Sequence, residues 1–125
     1  MKQEAADHRA KAERMLRQAE SLAADQAPEA VIHLAYYAMF HAATAVLLEA
    51  GTAPALTHGG LIGGFGRLMR DRGETARLQG RVLNRAEDQR LQADYGVSLP
   101  DLADAAGGLL RDARTFVAFC AEPNP

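Results

Sequence analysis

The stretch that most constrains this chain is 31–50, VIHLAYYAMFHAATAVLLEA, which is apolar around nearly its whole circumference. A surface helix carries one apolar stripe and one polar face, whereas a helix apolar on all sides is the buried centre of an assembly of helices. Pro28 suits the first turn, where its missing N–H costs nothing. Gly51 suits the left-handed position just past the end. A membrane span would need about 20 mainly apolar residues almost free of polar groups. His33, His41, Thr44 and Glu49 interrupt this run, and its flanks are acidic rather than basic. The expectation is a core helix and no membrane association.

Everything else is read against that helix. The 125 residues allow one domain with one core, spanning 1–125. β-branched residues are sparse and almost nothing alternates with period two, so the expected class is all-α. A formal net charge of −2 exerts no overall pull toward nucleic acid or anionic membrane. The single cysteine, Cys120, has no partner for an internal disulfide, and residues 1–12 hold no apolar leader core; both point to the cytoplasm.

In chain order, the periodicity predicts a first helix over 2–24 with Ala5, Ala12, Leu16, Ala19 and Ala23 on its inner stripe, widened by Met15 and Leu22. A short break at 25–28 makes the first two helices antiparallel neighbours. After a loop at 52–60, a helix starts at Thr57 or His58 and runs through Leu61, Ile62, Phe65, Leu68 and Met69. Gly63, Gly64 and Gly66 each cost this third helix about 1 kcal/mol relative to alanine. They make sense if another backbone packs closely or the segment moves. A fourth helix is expected over 74–91, with Ala76, Leu78, Val82, Leu83 and Ala86 inward and Arg77, Arg81 and Arg85 in an exposed row. Residues 92–100 read as a loop and 101–121 as the last helix. The expected architecture is an antiparallel four-helix bundle with an extra short, Gly-rich helix.

Three motifs stand in a fixed order: Ala35-Tyr36-Tyr37-Ala38-Met39-Phe40-His41-Ala42-Ala43, then Thr57-His58-Gly59-Gly60-Leu61-Ile62, then Arg90-Leu91-Gln92-Ala93-Asp94-Tyr95. With them the chain resembles the HEPN domain family, specifically its short stand-alone bacterial and archaeal members. The resemblance implies a helical bundle that commonly dimerises and frequent pairing with a small nucleotidyltransferase. It also implies roles in toxin–antitoxin and other defence systems, with RNA or a nucleotide as ligand. Active ribonucleases of the family carry an arginine followed after four to six residues by a histidine. No arginine stands at that spacing before His8, His33, His41 or His58, and Leu34 occupies a position that is often arginine in this subgroup. The nearest analogue is Arg90 with Tyr95. Metal-independent RNA cleavage needs a base titrating near neutrality and a cation for the phosphate. Tyrosine, with an unperturbed pKa of about 10, is a poor base.

Candidate residues follow, each with two readings. Arg90 and Asp94 either clamp the end of the fourth helix or, with Tyr95, face a nucleotide or RNA. His58 either caps the third helix or lies at an anion-binding helix terminus. Tyr37 is counted with the nucleotide- or RNA-binding candidates. His41 is either a core histidine bonded across the bundle or an acid/base group in a dimer cleft. Tyr36 and Tyr37, being consecutive, point to different faces. The row of Arg77, Arg81 and Arg85 is either a solvated face or a phosphate track. The spacing of histidine and cysteine offers no metal site, and nothing implies a cofactor. Two functions therefore stand. One is a dimeric binding or regulatory module paired with a nucleotidyltransferase. The other is an endoribonuclease using Arg90, Tyr95 and His41 or His58. The resemblance adds a third possibility, that Tyr95 accepts a nucleotidyl group from the partner enzyme.

Overall fold

A computed structural model describes residues 2–53 and 57–123. Part of the loop expected at 52–60 lies at 54–56, outside the described residues. Five helices follow in order: α1 Lys2–Glu20, α2 Pro28–Glu49, α3 His58–Met69, α4 Glu74–Tyr95 and α5 Leu102–Cys120. There is no strand among the described residues. The four long helices form the antiparallel bundle, and α3 lies against α2 and α4.

The helix that dominated the sequence dominates the structure. α2 touches every other helix, α1 most extensively. Val31, Ile32, Ala35, Tyr36, Ala38, Met39 and the whole run from Ala42 to Leu48 are buried along it. It is the one helix among the described residues long and apolar enough to cross a membrane by length and composition. Within that window, 72% of the residues are buried inside the bundle. Its start uses Pro28 without a side-chain cap. At its end Gly51 adopts φ +84°, so that its N–H bonds the Leu48 carbonyl and the Thr52 N–H bonds the Leu47 carbonyl. Those bonds satisfy carbonyls the helix would otherwise leave open.

α1 docks through alanines spaced by sevens: Ala5, Ala12 and Ala19 are buried. Such small side chains let its axis approach α2 closely, and Ala5 packs with Ala45 and Leu48. The helix ends at Glu20 rather than at Ala24. The Ser21 hydroxyl donates to the Gln18 carbonyl, the last turn tightens, and Leu22 is left partly exposed instead of extending the inner stripe. On the far side of α2, Phe65 of α3 and Phe116 of α5 meet with ring centroids 5.3 Å apart, both fully buried.

Two further differences from the sequence reading have physical causes. α4 runs on to Tyr95, because Ala93 is buried and Arg90 pairs with Asp94 along the last turns; Gly96 then closes it with an N–H bond to the Gln92 carbonyl. Leu78 faces outward, its place between Ala76 and Val82 on the inner face taken by Gln79. The backbones of α3 and α4 come close at one point, where a Cβ on Gly80 of α4 would stand 3.6 Å from the Gly66 Cα, although a Cβ on Gly66 itself would meet nothing within 4 Å.

Candidate functional site

The most connected polar cluster sits where the middle of α2, the start of α3 and the last turns of α4 converge. α4 contributes Glu87, Arg90 and Asp94, which the spacing of i, i+3 and i+7 places on one helix face. Three of the five N–H donors of the Arg90 guanidinium are engaged by carboxylates. Its Nε and Nη2 donate to Glu87 Oε1 at 2.8 and 2.6 Å, and its Nη1 donates to Asp94 Oδ2 at 2.9 Å. It also lies over two aromatic faces, 5.1 Å from the Tyr36 ring centroid and 5.9 Å from that of Tyr37. Burial opposes its charge, but the hydrogen bonds and carboxylates of Glu87 and Asp94 outweigh burial and hold it above the usual guanidinium range.

His58 enters from α3. The sequence allowed it to cap its helix; the cap is Thr57 instead, whose Oγ1 accepts from the Gly60 N–H at 2.9 Å. That frees the imidazole to turn inward. Its Nδ1 lies 2.7 Å from the Tyr36 hydroxyl and 3.6 Å from Glu87 Oε2, and its Nε2 lies 3.5 Å from the Tyr37 hydroxyl. When the Tyr36 phenol donates to Glu87 Oε2 at 3.5 Å, the matching tautomer has Nδ1–H of His58 donating to the phenol oxygen. Burial, followed by the Glu87 charge, pushes the Tyr36 phenol well above its ordinary range, so it stays protonated. His33 completes the rim, 3.7 Å from Asp94 and ring-to-ring with Tyr37 at 4.8 Å.

Of the residues singled out from sequence, the fold therefore brings together Tyr37, His58, Arg90 and Asp94. The other two lie apart. Tyr95 ends α4 with 78% of its surface exposed. His41 faces α1, where its Nδ1 sits 2.9 Å from the Nδ1 of His8, with the rings stacked. Burial, and then the positive charges of Lys11, His8 and Arg14, lower the His41 pKa to about 4. It is thus the histidine bonded across the bundle, not a member of the cluster.

Sequence reasoning gave Glu87 no role. Its spacing to Arg90 and Asp94 could have shown all three on one face. The pairing of His58 with Tyr36 had no local signal, because the two residues meet only through the packing of α3 on α2. Chemically, the cluster is a clamp in which two carboxylates outnumber the one guanidinium they hold, with an imidazole and two phenols around them. Among the described residues no group of three or more histidine, cysteine, aspartate or glutamate side chains converges as a metal site.

A bundle of this form carrying these motifs belongs to a recognisable class. Residues 5–123 match the HEPN domain, and the chain is a member of that family. It is similar to the Methanocaldococcus jannaschii protein named "Putative toxin MJ0605". The two are 34% identical over 83 residues, 66% of this chain. The match spans 60% of the length of that curated relative.

Proposed function

We propose that this chain is the toxin-type component of a two-component system, acting as a dimeric binding and regulatory module rather than as a nuclease. In this reading residues 1–125 form one HEPN domain. It homodimerises, pairs with an antitoxin of the nucleotidyltransferase class, and binds nucleotide or RNA. One observation carries the choice of binding over cutting. The Arg90 charge is paired with Glu87 and Asp94 and largely buried beneath two tyrosine rings, while Tyr95 and His41 stand away from it. A cleavage site needs a free cation and a base converging on one phosphodiester. The toxin name of the archaeal relative supports the wider context. Leu91, Tyr95 and Val97, exposed together near the end of α4, support a subunit interface there.

The test is a magnesium-free assay on a mixed RNA pool, comparing the wild type with Arg90→Ala and Tyr95→Phe. No cleavage by folded protein is expected; cleavage abolished by Arg90→Ala would overturn the binding reading and make the chain an endoribonuclease. Light scattering should find a dimer at micromolar concentration.

A second reading concerns the partner's action on this chain. The exposed phenol of Tyr95 is open to an incoming enzyme. A partner nucleotidyltransferase would transfer a nucleotidyl group from a nucleoside triphosphate to its oxygen and release pyrophosphate. Mass spectrometry after co-expression with the neighbouring gene's product should then show one added nucleotidyl group, absent from Tyr95→Phe.

A further inference from the structure

A groove of about 710 Å³ runs between α3 and α4 and reaches the Arg90 clamp at Glu87. Two arginines stand on each wall, Arg67 of α3 with Arg70 just past its end, and Arg77 with Arg81 of α4, and one carboxylate, Glu87, closes one end. Gly59, Gly63, Gly66 and Gly80 make up much of the remaining lining, leaving backbone exposed where side chains would fill the space. Arg77 is tied to Glu74 and to the Arg70 carbonyl. Arg67, Arg70 and Arg81 are exposed and make no ion pair among the described residues. A chain of net charge −2 has thus gathered four guanidiniums along one concave strip.

We infer that this groove is a binding site for the sugar–phosphate backbone of RNA, recognised by charge and without reading its bases. Guanidinium is the side chain best matched to phosphate oxygens, which it grips bidentately. Two rows facing each other across a groove neutralise a strand from both sides. Arg77 and Arg81 are spaced by about 6 Å along their helix, and Arg67 and Arg70 by about 4.5 Å, so each pair meets successive positions of a ligand. The lining has no aromatic ring to stack a base, and Ile62 is its one large apolar side chain. That composition disfavours a lone nucleotide, which needs a pocket for its base, and an apolar peptide. It suits a ligand held by phosphates alone. The inference rests on the RNA-binding part of the proposed function and gives it a location beside the Arg90 clamp, the two meeting at Glu87.

The test is fluorescence anisotropy with an end-labelled single-stranded oligouridylate over a salt series, with ATP and tripolyphosphate as competitors. Four neutralised phosphates predict a slope of log affinity against log salt near −3, from about −0.7 per contact on a single strand. Arg67→Ala/Arg81→Ala should weaken binding about tenfold or more and bring the slope to about −1.5. Arg17→Ala/Arg111→Ala, with the same change of net charge on other faces, should leave both unchanged. Gly66→Glu guards against misfolding: a Cβ there meets nothing within 4 Å. Glutamate is also the better helix former, so this variant stays folded while placing an anion in the groove, and it should abolish binding. Equal binding by wild type and groove variants would overturn the site while leaving RNA binding intact. Tight binding of ATP or tripolyphosphate without RNA binding would overturn the assignment to a strand. No binding of any probe would overturn the inference, and the dimer and partner assays would still judge the regulatory reading.

Discussion

Replacing Glu87 with alanine separates a structural clamp from a solvated ion pair. The Arg90 and Glu87 side chains are only 10% and 13% exposed, so their attraction is weakly screened by water. Glu87→Ala leaves Nε–H and one Nη2–H of Arg90 without their acceptor, while Asp94 still holds Nη1. Removing one partner of a buried pair costs about 3–5 kcal/mol when the charge left behind is bare. Asp94 remains and alanine favours the helix, so the expected loss is about 2–4 kcal/mol. The double variant Glu87→Ala/Arg90→Met should be distinctly more stable than Glu87→Ala, because an apolar side chain against the Tyr36 and Tyr37 rings removes the stranded charge. The two substitutions should therefore show a coupling energy of about 1 kcal/mol or more. Urea unfolding followed by far-ultraviolet circular dichroism measures both quantities, provided the slope with denaturant stays constant across variants. A loss below about 0.5 kcal/mol for Glu87→Ala, or strict additivity in the double variant, would refute the clamp and return Arg90 to the set of available phosphate ligands.

Other expectations follow from single features. Because the His41 pKa is lowered from 6.5 to about 4, the unfolded chain takes up a proton between those values that the folded chain refuses. Stability should be full above pH 6.5 and fall as the pH drops toward 4, by on the order of 1–2 kcal/mol after discounting for its only partial burial. Acid titration of His41→Gln should lack that decline; an unchanged decline would assign it to other groups. Cys120 is fully buried, and burial raises its thiol well above the ordinary range, so a thiol reagent should label it only on unfolding. Fast labelling of native protein would show that the end of α5 opens. Gly51→Ala should cost about 1 kcal/mol, because φ is +84° there. Gly66→Ala, with open space for its Cβ, should instead stabilise by about 0.5–1 kcal/mol, and thermal melts of the pair would expose a reversed order.

The division between what could be read and what could not has a physical basis. The run 31–50 announced its own burial, because apolar residues on every side of a helix have nowhere to go but the interior. Its proline start and glycine stop are local backbone effects, and Gly51 holds the conformation its type permits. The class and the five helices follow from the same periodicity, and the ordered motifs carried the family. Helix ends were harder. α1 stops at Glu20 and α4 reaches Tyr95 because of hydrogen bonds and burial that depend on neighbours in space.

The site divides in the same way. Arg90 and Asp94 were visible as an i, i+4 pair within one helix. That Arg90 lies beneath Tyr36 and Tyr37, that His58 turns away from its own helix toward a phenol, and that His41 pairs with His8 were decided only when the helices packed. The arginine groove is the plainest case. Arg67 and Arg70 precede Arg77 and Arg81 across a turn, and close approach of α3 and α4 at Gly66 and Gly80 makes them two walls of one groove. Periodicity determines which face of a helix is apolar, since that depends only on residues three and four apart. Which polar groups meet depends on how those faces are brought together in space. Tertiary structure alone decides that.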